Sequence, residues 1–204
     1  LGGSRGLGKE VLLAMDRGGV LHPDSFFISR KERDAENVLK VLRRPIRWWP
    51  GDFNKGFDPA WLQALVDRRI ERIFYFPGGG PFGSFSAKAW KDHMWALQVT
   101  LLTPMAMIHQ LLSLAVENPV QQVVFVGSQV ADSQPDPGAI SYSVAKHGLR
   151  SFVQSFSCEK ASINLRMFRP GYLDTDLLPK NAKPRTDGTQ VYCPQKAAEA
   201  FCPW

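Results

Sequence analysis

Gly2-Gly-Ser-Arg-Gly-Leu-Gly8 runs directly into Lys9-Glu-Val-Leu-Leu-Ala-Met15. Glycine accepts the backbone angles of a tight turn and lets another group approach closely, and the residues that follow carry apolar side chains at helical intervals. The first turn of a helix has unpaired N–H groups and the positive end of the helix dipole, both suited to a phosphate. The stretch therefore predicts a pyrophosphate cradle made by Gly2, Ser4, Arg5, Gly6, Leu7 and Gly8, at the entrance of a dinucleotide-binding fold. A flexible glycine turn is the plain alternative, and the helix behind the glycines argues against it. Such a fold needs an apolar strand ahead of the cradle, so the first strand of the sheet is expected to precede Leu1.

Beyond the cradle, strand and helix patterns alternate. Ser25-Phe-Phe-Ile-Ser-Arg30 reads as a buried strand after the turn Leu21-His-Pro-Asp24. It ends about 20 residues past the glycines, where a dinucleotide fold reads the adenosine ribose. An acidic residue there would suit the 2′-hydroxyl of NAD. Ser29, Arg30 and Lys31 stand there instead, and a guanidinium suits the 2′-phosphate of NADP, so NADP(H) is expected over NAD(H), with Arg5 assisting. A helix over Asp34–Leu42 and a strand over Pro45–Trp49 lead to Asp52, placed either to accept from the adenine amine or to form a turn.

Asp58 and Pro59 form a cap and first turn for a helix through Arg69. The strand Glu71–Phe76 is broken by Pro77-Gly-Gly-Gly-Pro81, a run that either brings backbone close to a ligand or makes a mobile loop. A long helical tract from Ser86 to Glu117 is expected to bend at Pro104. The strand Gln121–Val126 ends at Gly127-Ser128, a helix runs from Tyr142 to about Lys160, and the strand Asn164–Phe168 precedes Arg169-Pro-Gly-Tyr172. The pattern predicts a single α/β domain over residues 1–204. Its core is a doubly wound parallel sheet covered by helices on both faces, in three layers, with ligands at the carboxyl ends of the strands.

Composition narrows the function classes. A chain of 204 residues with 44% hydrophobic and 22% charged residues can bury one core, which argues against global disorder. No run reaches the ~20 apolar residues of a membrane span, and the opening Leu-Gly-Gly-Ser-Arg has no secretory pattern. Cys158, Cys193 and Cys202 are odd in number and have no metal-ligand spacing, and His22, His93, His109 and His147 are scattered. A cytoplasmic protein with reduced thiols and no metal is expected. The net charge of +6 is spread over helix-like faces such as Lys40, Arg43, Arg44 and Arg47, so neither nucleic acid nor a membrane is an expected partner.

The chemistry is concentrated in Ser141-Tyr-Ser-Val-Ala-Lys-His-Gly-Leu-Arg150. On a helix, Tyr142 and Lys146 share one face, and an adjacent ammonium stabilises a phenolate that otherwise forms near pKa ~10. Each unit of such a shift is worth about 1.4 kcal/mol and makes the phenol a better general acid at neutral pH. A solvated Lys beside a half-buried Tyr is the plain alternative, since this spacing arises often by chance. Ser128 ends the preceding strand and is expected at the same edge of the sheet as Tyr142 and the cradle.

The ordered set of glycine cradle, Ser128, Tyr142 with Lys146, and Pro170-Gly171 resembles the short-chain dehydrogenase/reductase family over nearly the whole chain. The resemblance implies a Rossmann-type fold with an additional final strand beyond Trp204. Gly2, Gly6 and Gly8 then match the spaced cofactor glycines, Asp52 the adenine-binding Asp, and Pro170, Gly171 and Thr175 the segment beside the nicotinamide. It further implies that Tyr142 exchanges a proton with the substrate. Lys146 would tune Tyr142 and hold the nicotinamide ribose, while Ser128 bonds the substrate oxygen. The cofactor carries the hydride, and the protein positions and polarises.

The chain also departs from the family pattern. Tyr75-Phe-Pro-Gly78 stands where the family has Asn-Asn-Ala-Gly, of which Gly78 alone is kept, and Thr100 stands where an Asn often occupies the long helix. Gln129 rivals Ser128 for the substrate oxygen. The resemblance makes the expected protein an NADP(H)-dependent oxidoreductase reducing a carbonyl or oxidising an alcohol. The departures motivate an alternative, a catalytically weak NADP-binding sensor or scaffold protein. Tyr172, Leu173, Leu177, Leu178 and Pro179 suggest an apolar lid over a hydrophobic small-molecule substrate, and the family suggests a homodimer or homotetramer built on the long helices.

Overall fold

The computed structural model describes residues 1–114, 118–129, 138–159 and 161–202. They form two compact units, one of Leu1–Asp52 with Pro170–Trp204 and one of Phe53–Arg169. In the first unit, helix α1 (Gly6–Arg17) leads to strand β1 (Phe26–Ser29), helix α2 (Glu32–Leu39) and strand β2 (Arg47–Pro50). β1 and β2 pair in parallel with Phe26 opposite Arg47 and Ser29 opposite Pro50. Parallel neighbours need a crossover, and α2 supplies it. Leu12, Phe27, Ala35 and Val38 from α1, β1 and α2 are buried together with Leu21 and Ile46 from the connections between elements.

Buried Asp16 closes the carboxyl end of α1 onto the segment after α2, its two oxygens accepting the Arg43 and Arg44 N–H groups at 2.9 and 3.1 Å. A carboxylate with charge-assisted backbone bonds is tolerated inside a fold where an unpaired one is not. The short parallel pair β6 (Tyr172–Leu173) and β7 (Val191–Tyr192) and the helix α7 (Pro194–Phe201), packed on α1, complete this unit.

The second unit holds helix α3 (Pro59–Asp67), strand β3 (Arg72–Tyr75), helices α4 (Trp90–Leu97) and α5 (Thr103–Ser113), strand β4 (Gln122–Val126), helix α6 (Ile140–Phe156) and strand β5 (Asn164–Phe168). β3, β4 and β5 form one parallel sheet in that order. Val123, Val124 and Phe125 are fully buried, as a strand covered on both faces requires. Asp58 caps α3 by accepting the Ala60 N–H at 2.9 Å, with Pro59 in its first turn, as the sequence predicts.

Both units build the alternating parallel strands and helices of an α/β, Rossmann-type doubly wound fold. Asn164–Phe168 forms as expected, the strands expected from Ser25, Glu71 and Gln121 shorten by a residue or two, and the one expected over Pro45–Trp49 starts at Arg47 and runs on to Pro50. The long tract begins as a helix at Trp90 rather than Ser86, and its expected limit, Glu117, lies outside the described residues, as does Lys160 at the expected end of α6. Pro104 does more than bend that tract. Between α4 and α5 the chain widens into a π-helical turn, Gln98–Leu102, in which the Thr103 N–H reaches back to the Gln98 carbonyl.

Candidate active site

The cradle is built in the first unit. Gly2 and Gly6 take positive φ values of 77° and 53°, which side-chain-bearing residues rarely adopt, and the Gly2 N–H donates to the Ile28 carbonyl at 2.8 Å. A Cβ on Gly3 would lie 3.1 Å from Phe27 Cβ, so glycine there lets the turn sit on β1. Arg5 precedes the first turn of α1 without capping it through its side chain, and that turn holds no acidic residue. Uncapped N–H groups at the positive end of a helix, under a glycine turn, fit a dinucleotide phosphate.

The groups expected at the ribose divide by burial. Arg30 and Lys31 are exposed. Ser29 is buried, and its hydroxyl accepts the Trp48 indole N–H at 2.9 Å. Arg5 Nε lies 3.3 Å from Asp34 Oδ2, an ion pair that a 2′-phosphate would have to compete with. Asp52 is half-buried at the end of this unit's first segment.

Downstream, Pro170 and Gly171 follow β5 after Arg169. Thr175 Cγ2 stands 3.7 Å from the Cβ position of Gly6. The segment beyond is gathered around one side chain: Arg185 bonds Asp174 Oδ1 at 2.7 Å and the Leu178 and Pro179 carbonyls at 3.1 Å each. Leu177, expected in an apolar lid, is 51% exposed.

The second unit gathers the proton-handling groups. Tyr142 and Lys146 lie one turn apart on α6, with the Lys146 ammonium 5.5 Å from the centre of the Tyr142 ring. Lys146 is 3% exposed and donates to the Val126 carbonyl at 2.6 Å. Burial lowers its pKa to about 8, because a desolvated ammonium is disfavoured. Val126 is the last residue of β4, so the lysine is anchored at the strand end that leads to Ser128, two residues on. Ser128 is half-buried and Gln129 exposed.

The glycine run after β3 approaches this pair. A Cβ on Gly78 would lie 3.3 Å from Lys146 Nζ, and one on Gly80 would lie 3.0 Å from Tyr142 Cβ. The run packs closely on α6, a neighbour that neither expectation for it named.

Sequence reasoning missed the polar contacts behind these residues. Tyr75 is 1% exposed and its hydroxyl donates to the Val99 carbonyl at 2.7 Å. Burial raises its pKa well above 10, which keeps it a donor. Thr100 is fully buried, and its hydroxyl accepts the Gly79 N–H at 3.2 Å. Buried His93 ties α4 to the first turn of α6: Nε2 faces the Phe85 carbonyl at 3.1 Å, so it carries the proton, and Nδ1 meets the Ser141 hydroxyl at 2.6 Å. His93 lies 48 residues from Ser141, and no motif marks it. Among the described residues, no group of three or more His, Cys, Asp and Glu side chains is placed to hold a metal.

Comparison with known proteins agrees with this fold. The family model described as short chain dehydrogenase matches residues 1–186. Among similar solved structures is a 3-oxoacyl (acyl-carrier-protein) reductase from Agrobacterium tumefaciens C58 with NADP bound, at 18% identity and a TM-score of 0.79, covering 98% of this chain and 83% of that one. A short chain dehydrogenase from Burkholderia cenocepacia J2315 in complex with NADP matches at 21% identity and a TM-score of 0.77, covering 98% and 86%. A short-chain dehydrogenase/reductase from Vibrio parahaemolyticus matches at 18% and 0.76, over 98% and 86%. No curated protein matches the chain.

Proposed function

The chain belongs to the short chain dehydrogenase family, oxidoreductases of alcohol and carbonyl groups, and we propose that it is an NADP(H)-dependent member whose reacting side chains are Ser128, Tyr142 and Lys146. The observation that carries the proposal is the buried Lys146 ammonium, anchored on the Val126 carbonyl and lying under the Tyr142 ring. Gly2, Ser4, Arg5, Gly6, Leu7 and Gly8 would hold the pyrophosphate, Arg30 the 2′-phosphate, and Asp52 the adenine. Gly78, Tyr142, Lys146, Pro170, Gly171 and Thr175 would line the nicotinamide half. When bound, the nicotinamide supplies or takes the hydride.

The protein's own part is proton transfer and polarisation. Tyr142 Oη gives its proton to the oxygen of a carbonyl substrate and takes it back from an alcohol. The Lys146 ammonium, one turn along the helix, stabilises the charge left on the phenol oxygen. Ser128 donates a second hydrogen bond to the substrate oxygen, and donors already in place at a developing negative charge lower the barrier. With a pKa of about 8, Lys146 is mostly cationic at neutral pH, the form this role needs.

Titration of the protein with NADPH and with NADH tests the cofactor half of the proposal. NADPH should bind more tightly, and Arg30→Glu should lower that preference by roughly 100-fold, about 3 kcal/mol for a lost charge-assisted contact turned repulsive. Binding of neither dinucleotide would sink the proposal. Binding without turnover of any aldehyde, ketone or alcohol would point instead to the sensor or scaffold protein.

A cytoplasmic location fits the three free thiols. A homodimer fits the apolar side chains left exposed on adjoining helices: Trp90, Met94, Leu102 and Met105 along α4, the π-turn and α5, and Val144 on α6. Val144 is 55% exposed. Val144→Asp should therefore leave the fold intact and convert the dimer to monomer in light scattering after size exclusion, and a protein already monomeric before substitution refutes the assembly.

A further inference from the structure

We propose that Tyr75 and Thr100 are positioning residues in this chain: together their hydroxyls fix the π-turn and the glycine loop that press on Lys146, and so set where the lysine stands. The proposal rests on Lys146 serving Tyr142, as argued above. It starts from a local shortage of donors. In an α-helix the Val99 carbonyl would take the Thr103 N–H, but here that N–H goes to Gln98. The residue five beyond Val99 is Pro104, which has no N–H to offer. A buried carbonyl without a donor costs about 1–3 kcal/mol, and the Tyr75 hydroxyl from β3 removes that cost.

With the turn held, Thr100 faces the glycine loop. Its hydroxyl accepts the Gly79 N–H and stands 3.4 Å from the Gly79 carbonyl. One residue earlier, the vacant Cβ position of Gly78 lies 3.5 Å from Thr100 Oγ1 and 3.3 Å from Lys146 Nζ. The hydroxyl that fixes Gly79 thereby fixes the backbone against the ammonium. Gly148 on α6 completes the fit from the other side, since a Cβ there would come within 2.8 Å of Leu101 in the π-turn. Neither Tyr75 nor Thr100 takes part in the proton transfer; they act through Lys146. Tyr75 and Thr100, two of the positions where the chain departs from the family pattern, thus bond to or from adjacent residues of one buried turn.

Buried hydroxyls need partners whatever they do, so the test reads the lysine. Among the described residues, those placed against Lys146 are the Tyr142 ring on its own helix, the Val126 carbonyl from β4, and Gly78 with Thr100 behind it. Burial causes the lowered titration, so it reports how tightly the loop covers the ammonium. Lysine enriched with ¹³C at Cε, with the resonance assigned through Lys146→Arg, gives that titration by NMR in the whole protein.

Thr100→Val and Tyr75→Phe, which each remove a hydroxyl and keep the bulk, should move the Lys146 midpoint upward by about one pH unit as water reaches the ammonium. Thr100→Ser should restore the wild-type midpoint, and the pH–rate profile should move with it. A Lys146 midpoint unchanged in folded Thr100→Val and Tyr75→Phe proteins overturns the proposal, and if Thr100→Val does not fold, Tyr75→Phe alone decides. Absence of turnover in the wild type would refute the proposed function and leave this titration as informative as before.

Discussion

Tyr142→Phe is expected to lower carbonyl reduction by about 10³-fold, within the range general acid catalysis contributes, while NADPH binding persists. The substitution removes one oxygen and leaves the ring, so the ammonium 5.5 Å from the ring centre keeps its packing. Without the phenol, water must supply the proton to the developing alkoxide, and no other acid on α6 stands in the same place. The substitution touches none of the residues proposed to hold the pyrophosphate and keeps the ring proposed to line the nicotinamide half, so cofactor affinity should not follow the loss of turnover. Parallel measurement of kcat and of NADPH affinity by fluorescence separates the two. Turnover within about threefold of wild type would remove Tyr142 from the reaction, since an essential acid cannot be lost so cheaply.

What the sequence discloses here depends on how local each signal is. The glycine turn, the Asp58-Pro59 helix start and the Tyr142–Lys146 spacing are determined within a few residues, and each appears in the structure where its pattern places it. The strand runs are legible because buried parallel strands are continuously apolar. Contacts that close over long sequence separations left no such trace. Pro104 signals a disturbed helix, but nothing local announces that Tyr75, 24 residues before Val99, meets the carbonyl of that residue inside the π-turn. The run Gly78-Gly-Gly80 announces a close approach without naming α6 as the neighbour. Ser29 stands at the expected ribose position, yet Trp48 on β2 turns its hydroxyl inward. β6 and β7, each two residues long, are too short for periodicity to register.

Lys146→Met should produce opposite changes in activity and stability, and the sign of the second follows from the lysine's burial. Activity falls because the positive charge beside the phenol is gone. Stability should rise at neutral pH, because the native state holds an ammonium whose pKa has dropped from 10.5 to about 8, a difference of roughly 3 kcal/mol against its charged form. Part of that gain is offset by the lost hydrogen bond to the Val126 carbonyl, worth about 1.5–3 kcal/mol for a charged donor. The offset does not change with pH while the lysine stays charged, whereas the titration does.

Between pH 8 and 10.5 the unfolded lysine holds a proton that the native one has released, so the stability of the wild-type protein rises through that window as the burial cost disappears. Lys146→Met lacks this contribution. The stability of the variant relative to wild type should therefore fall by about 3 kcal/mol from pH 7 to pH 10.5, read from urea unfolding of both proteins at each pH. A pH-independent difference would show that the lysine is not held charged in a dry site. The same result would undercut its role at Tyr142, because an ammonium already well solvated would have little charge effect left to give the phenol. Retention of such a costly charge is intelligible if the reaction needs it, as functional sites commonly keep groups that the fold alone would not.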